Sequence, residues 1–252
     1  MGNNIIVNES AQTLRALGRR ALMGNWGIAI GGFVLYMLLL TGPVFLINEM
    51  FGSGGLSFDY GSTNQFENYR SLAMSSVADK SIANIYTLLV SGPLSLGLVI
   101  FIGSVFRRED PRISQVFNGF ERFLKAFLTY FVMSFFIFLW SLLLIIPGII
   151  ASYRYSMTFY ILMDNPEIGV MEAINASKEM MQNNKWKLFS LHLSFIGWFI
   201  LAMMTFGLGI IFLGPYIETS MFAFYEIANG NLKFTLGQSS FMDGKRDRDD
   251  LA

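Results

Sequence analysis

Charged residues disappear from this chain for long stretches and then return in clusters. Trp26–Ile47 holds 22 consecutive residues without a charge. At 1.5 Å per residue such a helix is roughly 33 Å long, enough for a hydrocarbon core of about 30 Å. Ile85 to Phe106 repeats the pattern at the same length. Ala126 to Met163 is apolar for 38 residues and interrupted only by Arg154, too long for one crossing and slightly short for two. Pro147-Gly148 near its middle marks either a kink or a tight hairpin, because proline removes a backbone donor and glycine accepts positive φ. Leu188 to Ala228 is again too long for one span, and Thr205-Phe206-Gly207-Leu208-Gly209 divides it. The pattern predicts an all-α polytopic membrane bundle with six spans, four being the alternative.

The segments between these runs have a helical period. In Glu9 to Met23, Leu14, Leu17, Ala21 and Leu22 share one side and Arg15, Arg19 and Arg20 lie toward the other, with Ser10 placed as an N-cap. Pro111 to Lys125 sets Ile113, Val116, Phe117, Phe120 and Leu124 against Arg112, Arg122 and Lys125. Pro166 to Lys187 sets Ile168, Met171, Ile174 and Met181 against Glu172, Lys178, Glu179 and Lys185. Three cytoplasmic in-plane amphipathic helices are therefore expected, each opening a unit of helix, span, turn and span over about 9–106, 110–163 and 165–229. Asn48 to Asn84, rich in Gly, Ser and Asn, reads as an irregular outside loop, and 236–252, with KRDRDDLA, as a disordered cytoplasmic tail. Trp26 and Trp186 stand where polar segments enter spans and are expected to anchor at the headgroup level. Gly27 and Gly31 form a small-xxx-small pair that permits close helix approach.

Composition agrees with the pattern. Hydrophobic residues make up 53% and charged residues 14% of the 252, against about 25% charge in soluble domains. Eighteen basic residues balance eighteen acidic ones, which leaves no nucleic-acid footprint. Placement matters more than balance. Under six spans with both termini cytoplasmic, Arg15, Arg19, Arg20, Arg107, Arg108, Arg112, Arg122, Lys125, Lys178, Lys185, Lys187, Lys233, Lys245, Arg246 and Arg248 all fall inside, fifteen of the eighteen. That asymmetry favours six spans over four. It also predicts anionic headgroups at the inner face as partners.

Candidate chemistry is sparse. Arg154 in the fourth span and Glu218 in the sixth lie at depths that differ by roughly 5 Å, so they could pair or serve a ligand or proton. A structural ion pair, or an Arg154 snorkelling to headgroups, is the simpler account. His192, the one histidine, falls about a turn into span five and reads first as a hydrogen-bonding residue at a helix interface. Glu226 sits near the inner end of span six, within reach of water or an inner lysine. Pro43, Pro93, Pro147 with Gly148, and Pro215 are candidate kinks of the kind that build transporter sites. There is no Walker A loop, dinucleotide fingerprint, G-x-S-x-G elbow or H-E-x-x-H, and no cysteine. No cofactor, metal site or catalytic residue is assigned.

From Pro147 onward the residues carry a family likeness. The run IPGIIASYRYSMTFYILMDNPEIGVMEAINASKEMMQNNKWKLFSLHLSFIGW, then TFGLGIIFLGPY and the FYE of Phe224-Tyr225-Glu226, resembles the bacterial integral membrane proteins known as domain of unknown function 975. The N-terminal GNWGIAI fits as well. The layout is similar, more distantly, to the membrane domain preceding some glycerophosphodiester phosphodiesterases, whose catalytic part has no counterpart here. The resemblance implies a bacterial cytoplasmic-membrane location and no chemistry. Together these readings lead to a non-enzymatic accessory, tolerance or immunity factor that interacts with lipid, a membrane protein or a second copy of itself. A small transporter or lipid translocator is the alternative, and a membrane enzyme acting on lipid the third.

Overall fold

The structure is a computed structural model and describes residues 5–51 and 65–232. Every regular element among them is helical: α1 Ala11–Leu22, α2 Trp26–Phe51, α3 Gln65–Arg107, a 3-10 segment Ile113–Arg122, α4 Phe123–Leu143, α5 Ile145–Tyr155, α6 Thr158–Asp164, α7 Val170–Met180, α8 Lys185–Leu193, α9 Ile196–Met204 and α10 Gly209–Ala228. Four stretches are long and apolar enough to cross a membrane: Trp26–Ile47, Ile82–Arg107, Ile113–Leu143 and Lys185–Met204. The 145–164 stretch is broken into α5 and α6, and α10 carries Glu218 and Glu226.

The apolar spans differ in how much of them the rest of the protein covers. Only 11% of the Trp26–Ile47 and Ile113–Leu143 windows is buried within the protein, against 72% of Ile82–Arg107. The core lies around the second half of α3 and the second half of α10, where Leu94, Leu96, Phe101, Ile102, Phe222, Phe224 and Tyr225 are fully buried. This arrangement is how α10 tolerates two glutamates: its neighbours shield it from lipid, so its own side chains need not be uniformly apolar. Exposed apolar side chains cover α4, α5 and α9, and Ile145 and Met204 at the helix tips are 77% and 76% exposed. Such a surface is stable only against hydrocarbon.

Glycines set the closest helix approaches. A Cβ on Gly97 would stand 1.9 Å from the Val116 carbonyl oxygen, one on Gly119 would stand 1.9 Å from that of Pro93, and one on Gly92 would stand 2.4 Å from that of Ala126. As α3 numbers fall, partner numbers rise, so the 3-10 segment runs antiparallel along α3. Its three-residue period puts Ile113, Val116 and Gly119 on one face. Gln115 Oε1 accepts from the Arg112 N–H at 3.2 Å and from Ser104 Oγ, fixing the start of this stretch. The amphipathic segment read over Pro111–Lys125 is therefore a turn and a 3-10 run pressed on α3, not an α-helix. On α2 the tight contact is Gly32, against the Phe101 ring, with Gly31 touching Ile113, while nothing lies within 4 Å of a Cβ on Gly27.

Helix interruptions fall beside the prolines rather than on them. α2, α3 and α10 continue through Pro43, Pro93 and Pro215. At Pro43 the missing N–H would leave the Leu39 carbonyl unpaired, and Tyr86 Oη on α3 donates to it instead. The α4–α5 reversal is at the extended Leu144, three residues before Pro147, which occupies the first turn of α5 where its missing N–H costs nothing. Gly148 packs face to face with Ser141, whose Oγ would lie 2.1 Å from a Cβ there. The true break in this stretch is Ser156-Met157. There Ser177 of α7 accepts from the Met157 N–H at 3.2 Å and donates to the Arg154 carbonyl at 2.9 Å. One hydroxyl thus supplies both partners that the interrupted helix lacks.

The region read as an outside loop, 48–84, is helical over 48–51 and 65–84, and 52–64 lie outside the described residues. The tail 236–252 lies outside them too. Ser10 caps α1, accepting from the Thr13 N–H at 3.2 Å. The third amphipathic segment divides: α7 covers Val170–Met180, and Lys185 to Lys187 begin α8.

Candidate functional site

Three helix ends meet through charge. α3 ends on Arg107, α6 on Asp164, and α10 brings Glu226 beside them near its own C-terminal end. Arg107 Nη1 lies 2.8 Å from Asp164 Oδ1 and Nη2 donates to Oδ2 at 3.0 Å, a two-pronged fork. Nε donates to Glu226 Oε1 at 2.7 Å, and Nη2 lies 2.6 Å from the same oxygen. Tyr225 Oη donates to Asp164 Oδ2 at 2.7 Å and accepts from Asn229 Nδ2 at 3.3 Å. The guanidinium carbon stands 5.3 Å from the Phe222 ring centre, and Phe222 packs on Phe106, Tyr160 and Tyr225. One cation therefore serves two carboxylates, with side-chain exposures of 29% for Arg107, 17% for Asp164 and 6% for Glu226. Chemically this is a clamp. It holds the ends of α3, α6 and α10 in register, and all three guanidinium nitrogens take part in it.

The structure does not bring Arg154 and Glu218 together. Arg154, half-buried on α5, offers its carbonyl to Ser177 on α7 and forms no ion pair among the described residues. Glu218, half-buried on α10, has Tyr36 of α2 and Tyr160 of α6 as electrostatic neighbours and forms no hydrogen bond or ion pair among the described residues. His192 returns Nδ1 to its own helix, 3.0 Å from the Leu188 carbonyl, and meets the Tyr153 ring edge-on at 5.7 Å. Glu226 is the one member of the four-residue set read from sequence that belongs to a charged network, and its partner is Arg107 rather than a lysine. Arg107 and Asp164 were visible only as residues closing apolar runs. Trp26 opens α2, and Trp186, 74% exposed, stacks on Phe189 at 5.2 Å.

Two hollows lie near these elements. One of about 500 Å³ borders the clamp and is lined by Asp164, Asn165, Pro166, Glu167, Ile168 and Glu172. No group of His, Asp or Glu suited to hold a metal occurs among the described residues. The other, about 360 Å³, is an apolar crevice between α1, the start of α2, and the α9–α10 hairpin, lined by Arg19, Trp26, Trp198, Leu201, Leu213 and Tyr216 among others. Neither Arg154 nor Glu218 lines either hollow.

These features define the class first: a helical membrane protein with a charged clamp at one end of its core. Residues 141–231, from the last turn of α4 through α10, match the model of the family described as Protein of unknown function (DUF975). The matched stretch contains Asp164 and Glu226 of the clamp, whereas Arg107 comes from outside it. No curated protein and no solved structure matches the chain.

Proposed function

We propose that this chain is a six-span protein of the bacterial cytoplasmic membrane, both termini cytoplasmic, that works by binding membrane lipid or a membrane-protein partner as an accessory, tolerance or immunity factor, rather than by catalysing a reaction. The observation that carries the reading is where unused polar chemistry lies. At the core, Arg107, Asp164, Glu226 and Tyr225 satisfy one another, and Ser177 and Tyr86 cover the backbone groups that a helix break and a proline leave open. At the surface, α1 carries Arg19 and Arg20 exposed beside an apolar crevice. A molecule whose charged core cluster is closed and whose surface offers cations beside hydrocarbon acts at that surface.

Topology is tested by single cysteines, since the native chain has none. Glu179→Cys, exposed on α7, is expected to react with an impermeant maleimide only after the cytoplasmic face is opened. Labelling from intact cells would overturn the six-span arrangement. Function is tested by isolating the protein from native membrane with its lipid. Enrichment of lipid or of one membrane protein over a helical-bundle control is expected, and its absence would refute the binding reading.

Glu218 supports a second reading, a small transporter, because it is a carboxylate of the bundle with no hydrogen bond or ion pair among the described residues. Flux in proteoliposomes that Glu218→Gln abolishes would favour it.

A further inference from the structure

The apolar crevice has a charged end with no counter-ion. Arg15 and Arg19 stand one turn apart on α1, and neither forms an ion pair among the described residues. Like charges at this spacing repel. Arg15 Nη1 donates to the Ser194 carbonyl at 3.3 Å and its guanidinium lies 5.9 Å from the Phe195 ring centre, but its Nε is buried without a hydrogen-bond partner. Phe195 packs edge-on against Tyr216 at 5.2 Å, and Tyr216 with Arg19 lines the crevice, so the two cations and the crevice form one continuous feature. The crevice also carries three unused donors: the indole N–H groups of Trp26 and Trp198 and the Tyr216 hydroxyl make no hydrogen bond among the described residues. From Tyr216 it runs along α9 and α10 toward Thr205 and Gly209 at the hairpin, and its outer lip, Trp198, Leu201 and Phe212, is 48–58% exposed.

We infer that this crevice binds one acyl chain of an anionic phospholipid, with the phosphate at Arg19 and Arg15 and the Trp and Tyr donors on the phosphate or ester oxygens. This rests on the lipid-binding reading above and names its ligand. The chemistry is complementary at each level. A phosphodiester brings the negative charge that two adjacent guanidiniums lack, and its oxygens accept from aromatic donors at the headgroup boundary. A hydrocarbon chain then fills apolar space that opens sideways rather than to water. At about 360 Å³ the crevice is at the small end of the roughly 300–1,000 Å³ range of ligand sites, which suits one chain segment rather than a whole two-chain lipid.

The test uses brominated lipid as a contact quencher. Trp140→Phe and Trp186→Phe leave Trp26 and Trp198 as the only indoles, and the protein is placed in phosphatidylcholine bilayers doped with brominated phosphatidylglycerol or, separately, brominated phosphatidylcholine. Quenching by the anionic lipid is expected to correspond to about fivefold enrichment at the crevice, the factor that one cation at an anionic surface provides. Arg19→Gln, at an exposed position, lowers that preference, Arg19→Glu abolishes it by neutralising the Arg15 charge as well, and Ala202→Leu lowers quenching by both lipids because it fills the crevice. Equal quenching by the two lipids, or a preference that survives Arg19→Gln and Arg19→Glu, overturns the proposal. So does displacement of the brominated lipid by inorganic phosphate alone, which makes the site an anion site without a chain. Release of the protein from membranes by alkaline carbonate marks failure of the underlying membrane reading instead, and it is scored before any quenching is measured.

Discussion

Removing the cation from the Arg107 clamp should cost far more than removing either anion. Asp164 Oδ2 and Glu226 Oε1 both bond to the same nitrogen, at 3.0 and 2.6 Å, so the two oxygens lie within about 6 Å of each other. In Arg107→Met these carboxylates face one another without a counter-charge, and at an effective dielectric of about 20 their repulsion is about 3 kcal/mol. Breaking buried pairs by deleting one partner typically costs 3–5 kcal/mol. Partial exposure of Arg107 places the expected loss at the lower end, about 3 kcal/mol. Glu226→Gln keeps the fork to Asp164 and leaves an amide oxygen able to accept from Nε, so about 1 kcal/mol is expected. The decisive variant is the double one. Arg107→Met with Glu226→Gln removes the repulsion, and it should be more stable than Arg107→Met alone by about 1–2 kcal/mol. Reversible unfolding in mixed micelles, followed by far-ultraviolet circular dichroism, measures all four corners of the cycle. If the double variant loses the sum of the single losses, the clamp is not the coupled unit described, and the reasoning fails.

Ser177→Ala strips the helix break of both its partners, the Met157 N–H and the Arg154 carbonyl, and should destabilise the protein by about 1–3 kcal/mol; Ser177→Thr, which keeps the hydroxyl, should lose less in the same unfolding assay. Gly97→Ala puts a Cβ 1.9 Å from the Val116 carbonyl, a backbone group that cannot swing aside. It should fail to give a monodisperse peak in fluorescence-detected gel filtration, whereas Gly27→Ala, with nothing within 4 Å, should elute like the native protein.

The apolar helices were legible in the sequence because they depend on composition over many residues. Which of them the core covers was not, since Ile82–Arg107 is as apolar as Ile113–Leu143 and yet is 72% buried against 11%. What escaped was whatever depends on a single approach. The 3-10 geometry of 113–122 follows from Gly97 and Gly119 meeting across two chains, and no local pattern records that meeting. The segment 65–84 reads as loop from its Ser and Asn content, yet it extends α3, because a helix already nucleated in an apolar span continues through polar residues at small cost. At the charged site, attention to ionisable residues inside the apolar runs led to Arg154 and Glu218. The residues that pair are the ones at the edges. Arg107 is the first charge after a long apolar stretch, Asp164 closes another that only Arg154 interrupts, Glu226 lies in the last turn of a third, and opposite signs at the ends of neighbouring spans were the available signal.

The two hairpin tips bear on how the protein sits in a bilayer. Leu142 to Ile146 between α4 and α5 are each at least 68% exposed, and Met204, Phe206 and Leu208 between α9 and α10 are exposed too, Phe206 at 99%. Neither tip has a charge to hold it at a polar surface, whereas the opposite end of α10, about 26 Å away, is fixed by the clamp. These two hairpins are thus moored at one face and free at the other. A thicker bilayer can cover the tips with hydrocarbon without stretching anything, and a thinner one must push bare leucine, methionine and phenylalanine into the headgroups. The tolerance of these hairpins for bilayer thickness is therefore one-sided, generous toward thick membranes and strict toward thin ones.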